Sequence, residues 1–276
     1  MTGPLTVYSA DDGSRGPLGP YLRELWRRRH LALDLARTDV RAAHHDTVLG
    51  QAWQLLNPLM LALVYLFLFE VIALRSGGTS FFVFLLAGLF AFYYTRNSVS
   101  RGAMAITSGG ALVTNTRIPR AILPLASVVF SVRSYFSAVL IYIPFHIAAG
   151  LGASWSMLAL LPIFVLHTVF NIGLALLFSA ASVYFRDIRS ALPFTMRLWL
   201  YASPVLYATE EVPSRFQAVL RANPLSAYIG PMHDVLSNKE WPSPYWMLAG
   251  VAWAFGALVI GGWFFVSKER DFAIRL

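Results

Sequence analysis

The sequence contains no cysteine, which excludes disulfide bonds, thiolate catalysis and cysteine-ligated metal sites. It has two lysines, Lys239 and Lys268, and neither follows a glycine. The phosphate-binding loop that ends in Gly-Lys-Ser or Gly-Lys-Thr is therefore absent, so the chain cannot bind ATP in that way. Charged residues make up 13% of the chain, against about 25% in a soluble domain. This shortage of charge indicates that lipid is the main solvent of the folded chain.

Apolar residues are correspondingly abundant, at 57% of the chain. An α-helix rises about 1.5 Å per residue, so about 20 apolar residues cross the hydrocarbon layer of a bilayer. Runs of this kind predict an all-α integral membrane protein with six membrane-spanning helices. The predicted spans are 55–74, 81–99, 121–149, 157–185, 192–207 and 245–266. Between the second and third spans we expect a polar loop at 96–120, with a brief helix within 106–116.

The basic residues are distributed unevenly about these spans. With a cytoplasmic N-terminus, seventeen of the 22 lysines and arginines fall on the cytoplasmic side and four on the other side, while Arg133 lies well inside a span. Arg96 is counted with the loop after the second span, and Arg197 with the turn before the fifth. Cytoplasmic loops carry an excess of basic residues, so this bias predicts that both termini are cytoplasmic. The net charge of +8 flanks the apolar runs, which favours membrane orientation over nucleic-acid binding.

The chain before the first span has two parts. Residues 1–17 contain glycines, prolines and no apolar run, so we expect a disordered leader. In 18–50, apolar residues recur at intervals of three and four with arginines between them, which predicts an amphipathic helix on the membrane surface. A soluble regulatory helix is the alternative. The predicted domains are thus a leader (1–17), an interfacial segment (18–50) and a six-span domain (51–276).

Two segments between the predicted spans are unusual. The fourth and fifth spans are separated by a charged turn at 186–189, which must lie at a membrane face because a charge at the bilayer centre costs about 2.5 to 3.5 kcal/mol. Such a tip suits docking of a partner protein, and a plain solvated turn is the alternative. The segment 207–244 is broken at Asn223-Pro224, which predicts two short helices that dip into the outer leaflet or cap a pore. An amphipathic surface loop is the other interpretation.

Few residues inside the predicted spans have side chains that could bind a polar ligand or take part in catalysis. Arg133 could attract a diphosphate or a polar headgroup, or it could snorkel to the inner face or pair with another span. Sugar rings pack their C–H faces on aromatic rings, so Tyr135, Trp199 and Tyr201 could line a passage, although interfacial aromatic belts explain such residues equally well. The histidines lack metal-ligand spacing and the carboxylates form no close pair, so we predict neither a metal site nor a catalytic site.

Several motifs occur in an order that resembles a known family. They are Leu-Gly-Gln-Ala-Trp-Gln-Leu-Leu-Asn-Pro at 49–58, Thr-Asn-Thr-Arg-Ile-Pro-Arg-Ala-Ile-Leu-Pro-Leu at 114–125, Phe-Arg-Asp-Ile at 185–188, Ser-Pro-Val-Leu-Tyr at 203–207 and Asn-Pro-Leu at 223–225. This ordered set is similar to the permease subunit of ABC-2-type exporters of polysaccharide, O-antigen and teichoic acid. Within that branch the pattern is similar to the galactan exporters of arabinogalactan-building bacteria.

The resemblance implies a homodimer of six-span permeases in the bacterial inner membrane, bound to two copies of a separate ATPase subunit. ATP and magnesium would bind to that partner, and this chain would need no cofactor. The substrate would be a polymer on a polyprenyl diphosphate carrier, exported from cytoplasm to periplasm. The resemblance assigns coupling to the ATPase to Asn115, Arg117, Arg120, Phe185, Arg186, Asp187 and Ile188. It assigns the periplasmic gate to Asn223, Pro224 and Tyr228.

Two alternatives stay open at this point. An ABC-2 permease for teichoic acid, drugs or lipids would have the same topology. A membrane-embedded glycosyl- or acyltransferase would need a carboxylate pair or a histidine–acid set, and neither is evident in the sequence. The leading hypothesis is therefore a transport subunit that is not itself an enzyme.

Overall fold

The computed structural model describes residues 18–42, 52–72, 78–110 and 118–275, and no residue of these ranges lies in a β-strand. The α-helices in these ranges are α1 (Leu18–Arg27), α2 (Arg29–Ala42), α3 (Ala52–Ile72), α4 (Gly78–Ser108), α5 (Ile122–Ala148), α6 (Leu160–Tyr184), α7 (Asp187–Ala202), α8 (Gln217–Ala222), α9 (Ser226–His233), α10 (Pro244–Lys268) and α11 (Phe272–Arg275). The predicted leader at 1–17, residues 43–50 of the interfacial segment, and the expected coupling residues Asn115 and Arg117 lie outside the described residues.

Four of the described helices, α4, α5, α6 with its preceding turn, and α10 with its following turn, are long and apolar enough to cross a membrane. Helix α3 carries a shorter apolar stretch at Leu56–Val71, and α7 has 16 residues. At about 1.5 Å per residue α7 is about 24 Å long, which is less than the hydrocarbon layer of about 30 Å. The predicted all-α, multi-pass membrane architecture is confirmed, while the number of six spans stays a prediction.

Helix α4 is longer than the sequence pattern predicts. The expected polar loop at 96–120 is wrong in its first half, because α4 continues unbroken to Ser108. The guanidinium groups of Arg96 and Arg101 lie over the rings of Tyr93 and Phe130, 5.0 Å and 3.6 Å from the ring centres. Buried residues meanwhile recur at helical spacing: Ser98, Val99, Gly102, Ala103 and Ile106. The polar residues therefore interrupt the hydropathy of this helix but not the helix itself.

Helices α6 and α10 pack backbone against backbone. A β-carbon at Gly261 of α10 would lie 2.9 Å from the carbonyl carbon of Gly173 and closer still to its oxygen. A β-carbon at Gly173 would in turn collide with the backbone of Ala257. Small residues at membrane helix interfaces allow this close approach. The two backbones therefore leave no room for a side chain at either glycine.

Helices α1 and α2 lie against one end of the bundle. Ala32 of α2 packs with Ile122 and Ala126 of α5, and Ala36 packs with Phe130. The opposite side of α1 is exposed and basic: Arg23, Trp26 and Arg27. These helices form most of the predicted interfacial segment, and their place on a membrane surface stays a prediction.

Candidate functional site

The hairpin between α6 and α7 ends in a very short tip. Helix α6 ends at Tyr184 and α7 begins at Asp187, so only Phe185 and Arg186 lie between them. The carboxylate of Asp187 is in the first turn of α7, where it interacts favourably with the positive end of the helix dipole. Phe185, Arg186 and Asp187 are exposed, whereas Ile188 is half-buried and packs against the core. The tip therefore presents an aromatic ring and two opposite charges on a fixed base.

The base of the tip is tied to two other helices. Nη1 of Arg189 donates to Oγ1 of Thr107 near the end of α4, over 3.4 Å. The hydroxyl of Tyr184 donates to Oδ2 of Asp271 over 2.7 Å. Lys268 and Arg275 lie over the ring of Tyr184, 5.3 Å and 4.2 Å from its centre. A displacement of the tip would thus be transmitted to α4 and to the segment that follows α10.

Arg120, another expected coupling residue, lies in a contact between distant segments. Its backbone N–H donates to Oε1 of Glu269 over 2.6 Å, and its guanidinium donates to the Glu269 carbonyl. Tyr21 of α1 is close by: burial raises the pKa of its hydroxyl, and the Glu269 carboxylate raises it further. The structure thus places Arg120 where α1, the start of α5 and the end of α10 meet.

A group of polar and aromatic side chains lies on neighbouring faces of α3, α4 and α7. The hydroxyl of Tyr65 donates to that of Tyr201 over 3.2 Å. Arg197 and Tyr93 lie near Tyr65, and the Arg96 guanidinium lies over the ring of Tyr93. We call these five residues the polar face. Arg197 and Tyr201 are exposed on the described subunit, the latter to 51%.

The burial pattern of α7 explains why Arg197 and Tyr201 are the exposed part of the polar face, whereas Tyr65 is buried and Tyr93 and Arg96 are half-buried. Leu192, Met196 and Leu200, four residues apart, are the buried side chains of α7. Arg197 and Tyr201, also four apart, lie to the other side of the helix. Residues three or four positions apart lie on the same side of a helix. The spacing of Arg197 and Tyr201, like that of Tyr93 and Arg96, is therefore the signal in the sequence from which these parts of the polar face could have been found. Tyr65 and Tyr93 belong to the abundant aromatic residues of the sequence but were not predicted as pathway residues, Arg96 was not predicted as a site residue, and Arg197 was counted among the charges of the cytoplasmic side.

The structure does not bring the four expected pathway residues together. Tyr201 belongs to the polar face. Tyr135 is in the interior, where its ring stacks on Phe164 at 5.6 Å and its hydroxyl donates to Sδ of Met232. Arg133 is exposed at the start of an apolar stripe on α5: Phe136, Leu140, Ile143 and Ile147. Both interpretations of Arg133, a pathway residue or a snorkelling charge, therefore stay open.

Trp199, the fourth expected pathway residue, meets an expected gate residue. Its indole N–H donates to Oδ1 of Asn223 over 2.8 Å. The buried Asn223 amide donates to the Ala202 carbonyl and to Oγ of Ser203, each over 2.9 Å, and its Oδ1 also accepts from the backbone N–H of Leu225. Pro224 is half-buried just before α9. One asparagine thus joins the end of α7 to the turn between α8 and α9.

The expected gate residue Tyr228 is a core residue of α9. It is 1% exposed, its hydroxyl donates to the Gly250 carbonyl over 2.9 Å, and its ring is parallel to that of His167 at 4.8 Å. Nε2 of His167 lies 2.6 Å from Oγ1 of Thr95. Within the described ranges, no group of three or more histidine and acidic side chains is placed to hold a metal ion.

Comparisons with known proteins agree with this architecture. Residues 35–236 match the family described as "ABC-2 type transporter". Two proteins of Klebsiella pneumoniae named "O-antigen export system permease protein RfbA" are each 25% identical over 209 residues, which is 75% of this chain and 80% of theirs. A protein of the same name from Myxococcus xanthus is 27% identical over 254 residues, or 91% of this chain and 97% of its own. The matched range contains both the hairpin tip and the polar face, and the chain belongs to the ABC-2 type transporter family, as a membrane component rather than an enzyme.

Proposed function

We propose that this chain is the permease of an exporter that moves a lipid-linked polysaccharide, such as galactan or O-antigen, from the cytoplasm to the periplasm. The energy would come from ATP hydrolysed on a separate subunit. The names of the three relatives support the polysaccharide class. The observation that carries the proposal is the polar face on α3, α4 and α7, because it provides both charge and aromatic surface in an otherwise apolar bundle.

The depth of Arg197 argues that the polar face does not contact lipid. Arg197 lies ten residues after Asp187, which is about 15 Å along α7. A charge near the centre of a bilayer costs about 2.5 to 3.5 kcal/mol, so such residues face water, a polar ligand or another protein surface. The guanidinium groups of Arg96 and Arg197 suit a diphosphate, which they can bind through two parallel hydrogen bonds. The tyrosine rings suit the C–H faces of sugars.

A second copy of this chain would enclose the polar face. In the proposed homodimer the two polar faces line a path between the subunits, in the bacterial inner membrane with all termini cytoplasmic. This arrangement would remove Arg197 from lipid, and within the described ranges no acidic side chain forms a salt bridge with it. The same site would serve an ABC-2 permease for teichoic acid, which also carries phosphate and sugar.

The hairpin tip is the proposed docking surface for the ATPase, with Phe185, Arg186, Asp187 and Ile188 in contact with a cleft on each of two ATPase copies. Asn115, Arg117 and Arg120 would extend this surface. The bonds that tie the base of the tip to α4 and to the C-terminal segment support transmission of movement into the bundle. Asn223, Pro224 and Tyr228 would form the periplasmic gate, held by the contacts of Asn223.

Export by Arg197→Leu tests the proposal. We expect cells that produce this variant to accumulate polymer inside and to lose surface polysaccharide, measured by antibody binding to intact and lysed cells. Arg215→Leu is the matched control, because Arg215 is an exposed arginine that lies outside the long spans. Co-purification of the ATPase must be unchanged in both variants. Wild-type export by Arg197→Leu would contradict a role for the polar face.

A further inference from the structure

A second polar and aromatic site lies at the end of the bundle opposite the hairpin tip. It is a pocket of about 340 Å³ between the turn Thr209–Glu211, α8 and the first turn of α10. Glu210 lies on one side, Gln217 and Arg221 come from α8, and Tyr245 and Trp246 come from α10, with Leu220 also in the lining. Pockets that bind small ligands have volumes of about 300–1,000 Å³, so this one has room for a short stretch of sugar rings.

The aromatic part of the pocket is a perpendicular pair. The rings of Tyr245 and Trp246 are 5.1 Å apart at 72°. The Arg221 guanidinium lies 5.9 Å from the centre of the Tyr245 ring. The face of an aromatic ring carries partial negative charge, which attracts the C–H bonds on the apolar side of a pyranose. Two rings at right angles can contact two different faces of a bound saccharide.

The polar part of the pocket offers both acceptors and donors. The Glu210 carboxylate accepts hydrogen bonds, the Arg221 guanidinium donates them, and the Gln217 amide does both. Oε1 of Glu210 already accepts from Oγ1 of Thr209 over 2.7 Å, which orients the carboxylate. Sugar hydroxyls both donate and accept, so they match this set. Glu210 and Arg221 have opposite charges, which favours a neutral ligand over an anionic one.

We infer that this pocket binds a neutral saccharide segment of the transported polymer. This inference rests on the proposed function, which supplies the substrate class, and it adds a binding site outside the polar face. Helix α8 leads directly from the pocket to Asn223, which accepts a hydrogen bond from the indole N–H of Trp199 on α7. Helix α7 also carries Arg197 and Tyr201. The pocket is therefore connected, through α8 and Asn223, to the helix that lines the proposed path.

The test is isothermal titration of the full-length chain, purified in its transporter complex in a detergent without a sugar headgroup. The probes are neutral tetrasaccharides of galactose, mannose and glucose. At least one is expected to bind, and Glu210→Ala and Trp246→Ala are each expected to raise its Kd about tenfold, the upper range for one aromatic or hydrogen-bonding contact. Trp241→Ala is the matched control, because Trp241 is an exposed tryptophan outside the pocket.

The outcomes separate this site from simpler explanations. If Tyr245 and Trp246 act only as membrane-interface anchors, Glu210→Ala leaves binding unchanged, and the inference is overturned. It is equally overturned if none of the three probes binds. Thermal unfolding of each variant checks the fold, and Glu210 is exposed on a turn, so its replacement removes no packing. If Arg197→Leu loses export but no saccharide binds in the pocket, the proposed function stands and only the inference about the pocket fails. If a saccharide binds in the pocket but Arg197→Leu exports normally, only the proposal about the polar face fails.

Discussion

Replacement of Gly261 by alanine tests the packing of α6 against α10. The new β-carbon would lie 2.9 Å from the carbonyl carbon of Gly173, while ordinary contacts of this kind begin at 3.4 Å. The two helices must therefore separate by at least roughly 0.5 Å, and by more to clear the closer carbonyl oxygen. Overpacking of this kind costs up to about 3 kcal/mol. Alanine regains about 1 kcal/mol through its higher helix propensity, so the expected net loss is about 2 kcal/mol.

The neighbouring Gly262 provides a matched control. A β-carbon at Gly262 would have no atom within 4 Å, so Gly262→Ala gains helix propensity without a collision. The two variants should therefore differ by about 3 kcal/mol in free energy of unfolding.

Thermal unfolding in detergent, followed by circular dichroism, measures this difference. For a chain of this size each kcal/mol shifts Tm by about 2–4 °C, so Gly261→Ala is expected to lower Tm by about 4–8 °C. Gly262→Ala is expected to leave Tm unchanged or to raise it by up to about 4 °C. If the two variants unfold at the same temperature as the wild type, close backbone contact does not hold these helices together.

Three further predictions concern the two ends of the bundle. Asp187→Arg is expected to reduce co-purification of the ATPase about tenfold or more, because the reversed charge at a docking surface would meet a like charge on the partner. Glu240→Arg, a charge reversal at an exposed residue of the opposite end, should leave co-purification unchanged. Normal complex yield from Asp187→Arg would refute docking at the tip. Asn223→Ala removes four hydrogen bonds and is expected to cost at least about 2 kcal/mol in thermal unfolding, whereas the exposed Asn238→Ala should be neutral. Burial, with the carboxylates of Glu210 and Glu240 nearby, raises the pKa of Asp234 from 3.8 to about 6. The folded chain therefore binds a proton more readily than the unfolded chain, and stability contributed by this group rises as pH falls from about 6 to about 4. The buried His233 contributes the opposite slope, because burial lowers its pKa from 6.5 to about 3 and only the unfolded chain protonates it in that interval. Asp234→Asn removes the contribution of Asp234 alone, so its Tm is expected to fall more steeply, or to rise less, than that of the wild type as pH falls from about 6 to about 4; an unchanged slope would show that Asp234 is not the group that titrates.

Local pattern alone was enough for the parts of the fold that depend on one segment at a time. The apolar runs at 121–149 and 157–185 correspond closely to α5 and to α6 with its preceding turn, because the length of a span depends only on helix rise and membrane thickness. The missing phosphate loop and the short charged turn after α6 are equally local features. The missing loop was sufficient to predict a chain without its own ATP site, whereas the transport subunit was predicted from the ordered motifs that resemble the ABC-2 family.

Local hydropathy predicts the wrong structure where a helix carries polar residues on one side. The stretch 96–120 was predicted to be a polar loop because it contains arginines and glycines, yet the residues up to Ile106 keep a buried stripe against the other helices. The stacking of Arg101 on Phe130 of α5 satisfies the charge within the fold. A window of hydropathy averages over both sides of a helix, so it cannot distinguish a loop from a helix with one polar flank.

Contacts between distant segments could be read only from the folded chain. Tyr65 and Tyr201 are 136 positions apart and share a hydrogen bond, and Arg120 meets Glu269 across 149 positions. Whether an aromatic residue faces a path, as Tyr201 does in the proposed homodimer, or the core, as Tyr135 does, depends on which helices pack against it. Composition and the order of motifs therefore indicated the class of protein, whereas packing determined which charges and rings come together. The reason is that every helix has several faces, and which of them is buried depends on the helices that pack against it.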